Sequence, residues 1–178
     1  MKMKEKYSQV KEKYDQYYKF LLQDGQFLFK DTKDGSWGVS ITEEVFELFD
    51  KLNLSQYNSF LDLGSGDGKV VLLASLFCKA VGIESDDELY EISHKMKKKL
   101  QIHNATFLHR NYFNHDFSQY DVIYILPDKP FRRGLQAKLQ EELKGILIVY
   151  GNHFLPNLKV KEQIILTGTT ITIYEQHP

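Results

Sequence analysis

The stretch Phe60-Leu61-Asp62-Leu63-Gly64-Ser65-Gly66-Asp67-Gly68 decides the fold of this chain. Its first residues form an apolar run typical of a buried strand, and a helical pattern begins directly after its last glycine. Glycine has no Cβ, so its backbone can take positive φ and approach a ligand closely. The amides that open the following helix present a positive end to an anionic group. The stretch therefore predicts a cofactor-binding turn between a strand and a helix.

The spacing of the glycines indicates which cofactor is bound. A dinucleotide fingerprint is G-x-G-x-x-G, whose third glycine allows the helix to pack closely on the strand. Here the glycines stand at 64, 66 and 68, and Lys69 follows. An acidic residue two positions before G-x-G-x-G resembles the first motif of the class I S-adenosylmethionine-dependent methyltransferases. This resemblance implies that S-adenosylmethionine is held by residues of the turn, namely Asp62, Gly64, Ser65, Gly66 and Asp67.

A second acidic residue fits the same cofactor. The run 79–84 is short and apolar and ends in Glu84, which stands 18 residues beyond Gly66. In nucleotide-binding folds a ribose-binding acid ends the second strand at roughly this spacing. A carboxylate there can accept hydrogen bonds from both ribose hydroxyls. Glu84 is therefore the predicted ribose acceptor, although residues 85–88 also read as a helix start that such an acid would open.

Length and composition limit the other possibilities. The chain has 178 residues and is 42% apolar, which fits one globular domain. A net charge of −1 gives no overall attraction to nucleic acid or to an anionic membrane. The single cysteine, Cys78, has no internal disulfide partner, and no signal peptide or membrane-spanning run is apparent. We therefore expect a soluble, cytoplasmic protein with no nucleic-acid or membrane partner, and the sequence leaves its oligomeric state open.

Strand and helix patterns alternate along the chain, which favours parallel β-α-β units. The predicted strands are 59–63, 80–84, 105–109, 121–126 and 145–150, and residues 163–174 read as a hairpin around a glycine. The predicted helices are 42–53 with Thr42 as N-cap, 68–77, 86–100 and 131–143. Together they predict an α/β protein with the seven-stranded Rossmann-like methyltransferase fold, mostly parallel with a C-terminal antiparallel hairpin. We assign residues 1–36 to an N-terminal helical extension and 37–178 to the methyltransferase domain.

The N-terminal extension contains an amphipathic helix. Its apolar side is formed by residues spaced three and four apart, which are Tyr7, Val10, Tyr14, Tyr17, Tyr18 and Leu21. The favoured interpretation is that this helix covers the sheet or its helices. The alternative is that the tyrosines form a substrate wall or a dimer contact.

The resemblance also implies where the adenine lies. In this fold that side of the pocket is formed by the turn after the third strand, here residues 109–113. Family members carry an acidic residue near this point, whereas this chain offers the amide oxygen of Asn111. Tyr112 is predicted to pack on the ring, although an aromatic residue after a strand is as often part of the core.

Two kinds of base methylation are disfavoured. Enzymes that methylate base amino groups carry Asn or Asp before Pro-Pro and an aromatic residue after the fourth strand, whereas this chain has Leu126-Pro127-Asp128-Lys129-Pro130-Phe131. Carbon-5 methylation of cytosine needs a thiolate nucleophile. Cys78 is predicted to lie inside a buried helix and cannot serve.

Residues 37–175 resemble the small archaeal protein lysine methyltransferases and their eukaryotic relatives that act on mitochondrial proteins. The resemblance rests on Trp37-Gly38-Val39-Ser40 before a helix start, on the two motifs above, and on Tyr124-Ile125-Leu126 followed by residues 139–144. The chain departs from that group in lacking its prolines near Trp37 and in having Asn152-His153-Phe154 where the group has His-Asp-Phe. The resemblance implies a protein lysine as acceptor and Trp37 at the cofactor.

We expect direct methyl transfer, in which the protein aligns and desolvates the reactants. The polar groups predicted to face the acceptor are Tyr124, Asp128 and His153. Each also has an explanation without a catalytic role: Tyr124 as a core residue, Asp128 as a turn residue, and His153 as a histidine that only supports the fold. No metal site is predicted. The alternatives are a small-molecule N- or O-methyltransferase, including a metal-assisted one using Asp128 and Asn152, and an inactive module of the same fold or a dinucleotide-binding protein with an unusual turn.

Overall fold

The computed structural model describes residues 3–131 and 134–176. The strands are β1 (Phe29–Asp31), β2 (Ser36–Gly38), β3 (Ser59–Leu63), β4 (Lys79–Glu84), β5 (Ala105–His109), β6 (Val122–Ile125), β7 (Ile146–Tyr150), β8 (Lys159–Leu166) and β9 (Thr169–Glu175). The helices are α1 (Met3–Gln23), α2 (Thr42–Lys51), α3 (Lys69–Ala74), α4 (Asp87–Leu100) and α5 (Leu135–Glu142), with short 3₁₀ turns at Leu54–Gln56 and Tyr112–Asn114. None of the helices in this part of the chain is long and apolar enough to cross a membrane.

Seven strands form one sheet in the order β5-β4-β3-β6-β7-β9-β8. The first five strands of this order are parallel, and β9 is antiparallel to both β7 and β8. The central strands read as continuous apolar runs because they are covered on both faces. All five residues of β7, for example, are buried. The predicted α/β fold, mostly parallel with a C-terminal antiparallel hairpin, is confirmed.

The order of the strands reverses at β3. The chain leaves β3 for β4 and β5 on one side and returns to β6 and β7 on the other. In open α/β sheets, ligands bind in the crevice that such a reversal opens at the carboxyl ends of the strands. The glycine turn follows β3 and Glu84 ends β4, so both lie at this edge.

Helix α1 packs on α3 and α4 through Val10, Tyr14, Tyr18 and Leu21, all of which are buried. These side chains belong to the same apolar cluster as Trp37 and the buried face of β3. The helix therefore covers two helices of the sheet domain, as the favoured interpretation of its spacing expects.

Three local predictions were wrong or incomplete. Thr42 is the first residue of α2 and Ile41 occupies the N-cap position, without a side-chain cap. Helix α3 ends at Ala74, so Cys78 lies in the turn beyond it, where burial raises the pKa of its thiol to about 11. Strands β1 and β2 form a small hairpin that the sequence did not predict, because three-residue strands among charged residues carry no alternation signal. Arg132 and Arg133, in the predicted helix 131–143, lie outside the described residues.

Candidate functional site

A cavity of about 540 Å³ opens at the carboxyl edge of β3, β4 and β6. It gathers most of the residues that the sequence singled out, which are Trp37, Asp62, Gly64, Ser65, Gly66, Asp67, Glu84, Asn111, Tyr112, Tyr124 and Asp128. The turn of the β1–β2 hairpin and the loop after β6 complete its wall. The cavity is therefore assembled from segments that lie up to about a hundred residues apart in the chain.

The glycine turn is tied to β4 by its own amides. The amides of Gly64 and Ser65 both donate to the carbonyl of Ile83, at 3.0 and 2.9 Å, and the amide of Gly66 donates to the Glu84 carboxylate at 2.8 Å. These three amides are therefore used within the protein. A dinucleotide pyrophosphate needs such free amides, while S-adenosylmethionine carries no phosphate. The turn fits the sulfonium cofactor better than a dinucleotide.

Gly64 and Gly66 differ in how much space surrounds them. Gly64 has φ +74°, and a Cβ added there would meet no protein atom within 4 Å, so this position faces open space at the cavity. Gly66 has φ +54°, and a Cβ there would lie 2.4 Å from Cδ1 of Trp37. The close approach at Gly66 is thus made by the indole of Trp37, which is itself buried.

Ser65 lies beneath the turn. Its Oγ is fully buried and has no hydrogen-bond partner within the described residues. A Cβ on Gly82 of the neighbouring strand would come within 2.6 Å of that oxygen. Gly82 thus makes room for Ser65, which is one of the residues that line the cavity.

Glu84 opens a helix, as one of the two interpretations of the sequence expects, and it also lines the cavity. Its Oε2 accepts from Gly66, and its Oε1 accepts from the amides of Ser85 and Asp86, each at 2.8 Å. It therefore braces both the glycine turn and the start of α4, whose N-cap is Asp86. Burial raises its pKa, and the three amide hydrogen bonds act against that rise. Each carboxylate oxygen has two lone-pair sites, so one acceptor site remains, on Oε2, for a ligand hydroxyl in the cavity.

Asp62 is a buried acid without a partner. Its side chain is 3% exposed, and within the described residues it forms no hydrogen bond or ion pair. Burial raises its pKa well above the usual range, and the nearby charges of Glu84 and Asp67 raise it further. Because an unpaired buried carboxylate is unfavourable, a cationic or hydrogen-bond-donating ligand group in the cavity would relieve it.

A cluster that sequence reasoning missed surrounds Asp67. Its Oδ2 accepts from the hydroxyl of Tyr18 at 2.7 Å, its Oδ1 accepts from the amide of Lys69 at 3.2 Å, and its main-chain carbonyl accepts from the hydroxyl of Tyr14 at 2.8 Å. Two tyrosines one helical turn apart on α1 thus hold the glycine turn. Their spacing was visible in the sequence, but nothing in it identified Asp67 as their partner.

Lys69, the first residue of α3, belongs to the same cluster. Its Nζ donates to the carbonyl of Ser40 at 2.5 Å and lies 4.6 Å from the centre of the Tyr18 ring. The residue is 3% exposed and lines the cavity. Burial lowers the pKa of its ammonium, against the opposing effect of Asp67.

The adenine side expected from the resemblance lies after β5. Asn111 caps a 3₁₀ turn, since its Oδ1 accepts from the amide of Phe113 at 2.9 Å. Tyr112 is half-buried, and burial raises the pKa of its hydroxyl to about 12. Both side chains line the cavity. The nearest acid along the chain, Asp116, is exposed, accepts hydrogen bonds from Ser118 and does not line the cavity.

The other end of the cavity lies after β6. The Tyr124 hydroxyl, fully buried, is 3.1 Å from Oγ of Ser40. The Asp128 carboxylate accepts from the amide of Ser36 at 2.7 Å, and the ammonium of Lys129 donates to the carbonyl of Asp34. The β1–β2 hairpin therefore docks on the loop that follows β6, which gives part of the predicted N-terminal extension a place in the site.

His153 is not brought to this cavity. It is exposed in the loop after β7 and does not line the wall, and the neighbouring Asn152 is exposed as well. Within residues 3–131 and 134–176, no group of three or more His, Cys, Asp or Glu side chains could hold a metal ion. Of the two residues considered for a metal-assisted reaction, Asp128 lines the cavity and Asn152 does not.

Comparison with known proteins gives the site its context. A family model described as the ANTKMT methyltransferase domain matches residues 62–162, more than half of the chain. A protein-lysine N-methyltransferase of Saccharolobus islandicus is 30% identical over 114 residues, covering 62% of this chain and 71% of that protein. A release factor glutamine methyltransferase of Buchnera aphidicola is 40% identical over 70 residues, but the match spans only 25% of that protein.

The fold comparison agrees. An RNA methyltransferase from Salinibacter ruber, solved in complex with S-adenosyl-L-homocysteine, superposes with a TM-score of 0.63 and 22% identity. The match covers 79% of this chain and 97% of the other. At that identity the likeness concerns the fold.

Proposed function

Because this chain, an S-adenosylmethionine-dependent methyltransferase, belongs to the ANTKMT methyltransferase family, we propose that it transfers the methyl group to the side-chain amine of a lysine in a protein. The choice of lysine as acceptor rests on the similarity to a protein-lysine N-methyltransferase. The match extends over 114 residues and covers 71% of that protein. The geometry of the cavity supports the proposal at both ends.

The cofactor end is supported by a row of groups along the sheet edge. Asn111 and Tyr112 after β5 would contact the adenine, and Glu84 at the end of β4 would accept from a ribose hydroxyl through Oε2. The glycine turn after β3 would then lie along the amino-acid part. All of these residues line one cavity.

The acceptor end is supported by the apolar character of the wall beyond Tyr124. Ile125, Leu126 and Pro127 line the cavity there. A lysine amine has an ordinary pKa of about 10.4 and must lose a proton before it can attack. Desolvation against an apolar wall disfavours the charged form, as does a neighbouring positive charge. S-adenosylmethionine, when bound, would supply the methyl group from its sulfonium, with S-adenosylhomocysteine as the leaving group.

Tyr124 and Asp128 have separate roles in this proposal. The hydroxyl of Tyr124 faces Ser40 at the cavity wall and is placed to orient the acceptor amine. Asp128 binds the amide of Ser36, so its first role is to hold the β1–β2 hairpin beside the acceptor. His153 has no role in it, since it lies outside the wall.

The acceptor is tested by labelling. The protein is supplied with methyl-labelled S-adenosylmethionine and a nuclease-treated, denatured lysate, and hydrolysates of the labelled protein bands are analysed. We expect methyl-lysine. Tyr124→Phe should slow labelling more than it weakens cofactor binding, because a group that acts on the nucleophile matters mainly in the transition state.

Tyr120→Phe is the matched control, since the hydroxyl of Tyr120 binds His115 and does not line the cavity. It should label at the wild-type rate. Methyl-glutamine in the hydrolysate, label confined to RNA in an untreated lysate, or label found only in small molecules would each overturn the lysine acceptor.

A further inference from the structure

Lys69 is a buried cation whose ammonium has no direct ion-pair partner within the described residues. Its side chain is buried, and its Nζ makes one hydrogen bond, to the carbonyl of Ser40. Among the described residues no carboxylate forms an ion pair with it. An ammonium has three donors, so two remain unused by hydrogen bonds within the protein.

The nearest acid in sequence is already engaged. Asp67 accepts from the Tyr18 hydroxyl and from the amide of Lys69. Its charge raises the pKa of the Lys69 ammonium against the larger effect of burial, but the two side chains form no direct hydrogen bond or ion pair. A buried charge is unfavourable unless it is paired. Because Lys69 lines the cavity, an anion in the cavity is the group that can pair with it.

The location of Lys69 identifies that anion. Glu84 and Asn111 lie at the ends of β4 and β5, on one side of the glycine turn. Lys69 lies on the opposite side, because Ser40, which receives its hydrogen bond, also contacts Tyr124 at β6. A cofactor with its ribose at Glu84 therefore directs its amino-acid end toward Lys69, and the only anionic group of S-adenosylmethionine is the carboxylate at that end.

We propose that Lys69 binds the carboxylate of the amino-acid part of S-adenosylmethionine. Burial strengthens this ion pair relative to one in water, and the Tyr18 ring and the Ser40 carbonyl fix the position of the ammonium. Lys69 is thus a determinant of which adenosyl sulfonium the site accepts. The inference rests on the cofactor site of the proposed function and is independent of the acceptor.

The test compares two ligands that differ only in the carboxylate. Calorimetric titration of the wild-type protein with S-adenosylmethionine and with its decarboxylated analogue should show at least tenfold tighter binding of the former. Hydrogen bonds to charged groups have this magnitude. Equal affinities for the two ligands would overturn the proposal. No binding of S-adenosylmethionine at all would instead contradict the cofactor site.

Two variants assign the preference to Lys69. Lys69→Gln keeps a donor for the Ser40 carbonyl but removes the charge, so the preference should vanish mainly through weaker binding of S-adenosylmethionine. Lys69→Arg keeps the charge and should retain most of the preference. The control Lys79→Gln removes an exposed lysine at the far end of β4 and should change neither affinity. A folded Lys69→Gln protein that keeps the full preference would sink the assignment. If that variant does not fold, loss of the wild-type preference in a folded Lys69→Arg protein, which keeps the charge, decides against it.

Discussion

At the scale of single residues, Glu84 shows how one carboxylate serves the fold and the site together. It accepts three backbone hydrogen bonds and lines the cavity at once. The turn and the start of α4 are therefore set by the residue that is expected to contact the ribose. A substitution here changes stability and binding together unless it keeps an acceptor.

We expect Glu84→Ala and Glu84→Gln to separate these effects. The alanine variant leaves the buried amide of Gly66 without its acceptor, which should lower the free energy of unfolding by about 1–3 kcal/mol and reduce cofactor affinity at least tenfold. The glutamine variant keeps one oxygen and should lose less stability while its affinity still falls. Urea unfolding and calorimetry measure the two quantities. Glu91→Gln, on the exposed face of α4, is the control, and wild-type affinity in Glu84→Gln would count against a ribose contact.

Replacement of Asp62 should raise stability, whereas replacement of Glu84 should lower it. Because its pKa is raised in the folded state, the folded protein holds a proton that the unfolded chain releases above about pH 4. Its contribution to stability is therefore greatest below that pH and declines as the pH rises toward the folded-state pKa. Asp62→Asn removes the titration, so its melting temperature should exceed that of the wild type by a margin that grows from pH 4 to pH 7.

The same variant should bind S-adenosylmethionine more weakly, since it lacks the negative charge at the cavity wall. Thermal melts at several pH values, without ligand, give the first result and calorimetry gives the second. Asp50→Asn, on the exposed surface of α2, should change neither. A margin that shrinks as the pH rises would show that Asp62 is not the strained acid described here.

At the scale of elements, α1 acts on the site although it precedes the motif by many residues. The hydroxyl of Tyr18 reaches the Asp67 carboxylate across 49 positions of sequence. Tyr17, its neighbour, has a hydroxyl that makes no hydrogen bond within the described residues. The two tyrosines therefore form a matched pair for testing whether α1 shapes the glycine turn.

Tyr18→Phe should lower the free energy of unfolding by about 1.5–3 kcal/mol, because a hydrogen bond to a charged acceptor is lost. It should also weaken S-adenosylmethionine binding, since Asp67 then loses its fixed orientation in the turn. Tyr17→Phe should leave both quantities within error. Equal binding by both variants, measured by calorimetry, would show that α1 stabilises the protein without positioning the cofactor turn.

The elements also show where sequence reasoning succeeds and where it stops. The strands and the hairpin could be predicted because apolar runs and the glycine of a two-residue turn are local signals, and Thr167 and Gly168 indeed both have positive φ. The position of the cavity could be predicted because the glycine motif is also a local signal. The pairing of Tyr18 with Asp67 and the docking of Ser36 on Asp128 could not be predicted, because they depend on contacts between distant segments.

At the scale of the whole molecule, α1, α3 and one face of the sheet share one apolar cluster with Trp37. Trp37 is the only tryptophan of the chain, and its indole covers Gly66 at the cavity. Its emission therefore reports the cofactor turn, whereas far-UV circular dichroism reports all the helices, with α1 as the longest. Because these parts are packed together, the two signals should report one event.

We expect a single unfolding transition in which both signals coincide, as two-state behaviour requires. S-adenosylhomocysteine at 100 times its dissociation constant adds about 2.7 kcal/mol to the free energy of unfolding. For a chain of this size, that should raise the melting temperature by roughly 5–10 °C. NAD at the same concentration should give no shift, because the amides of Gly64 and Ser65 are bonded to Ile83 and are not available to a pyrophosphate. Two results would mean that α1 is not part of the unit that binds the cofactor. One is a loss of the circular dichroism signal at a lower temperature than the change in Trp37 emission, and the other is a helical melting temperature that the ligand does not raise.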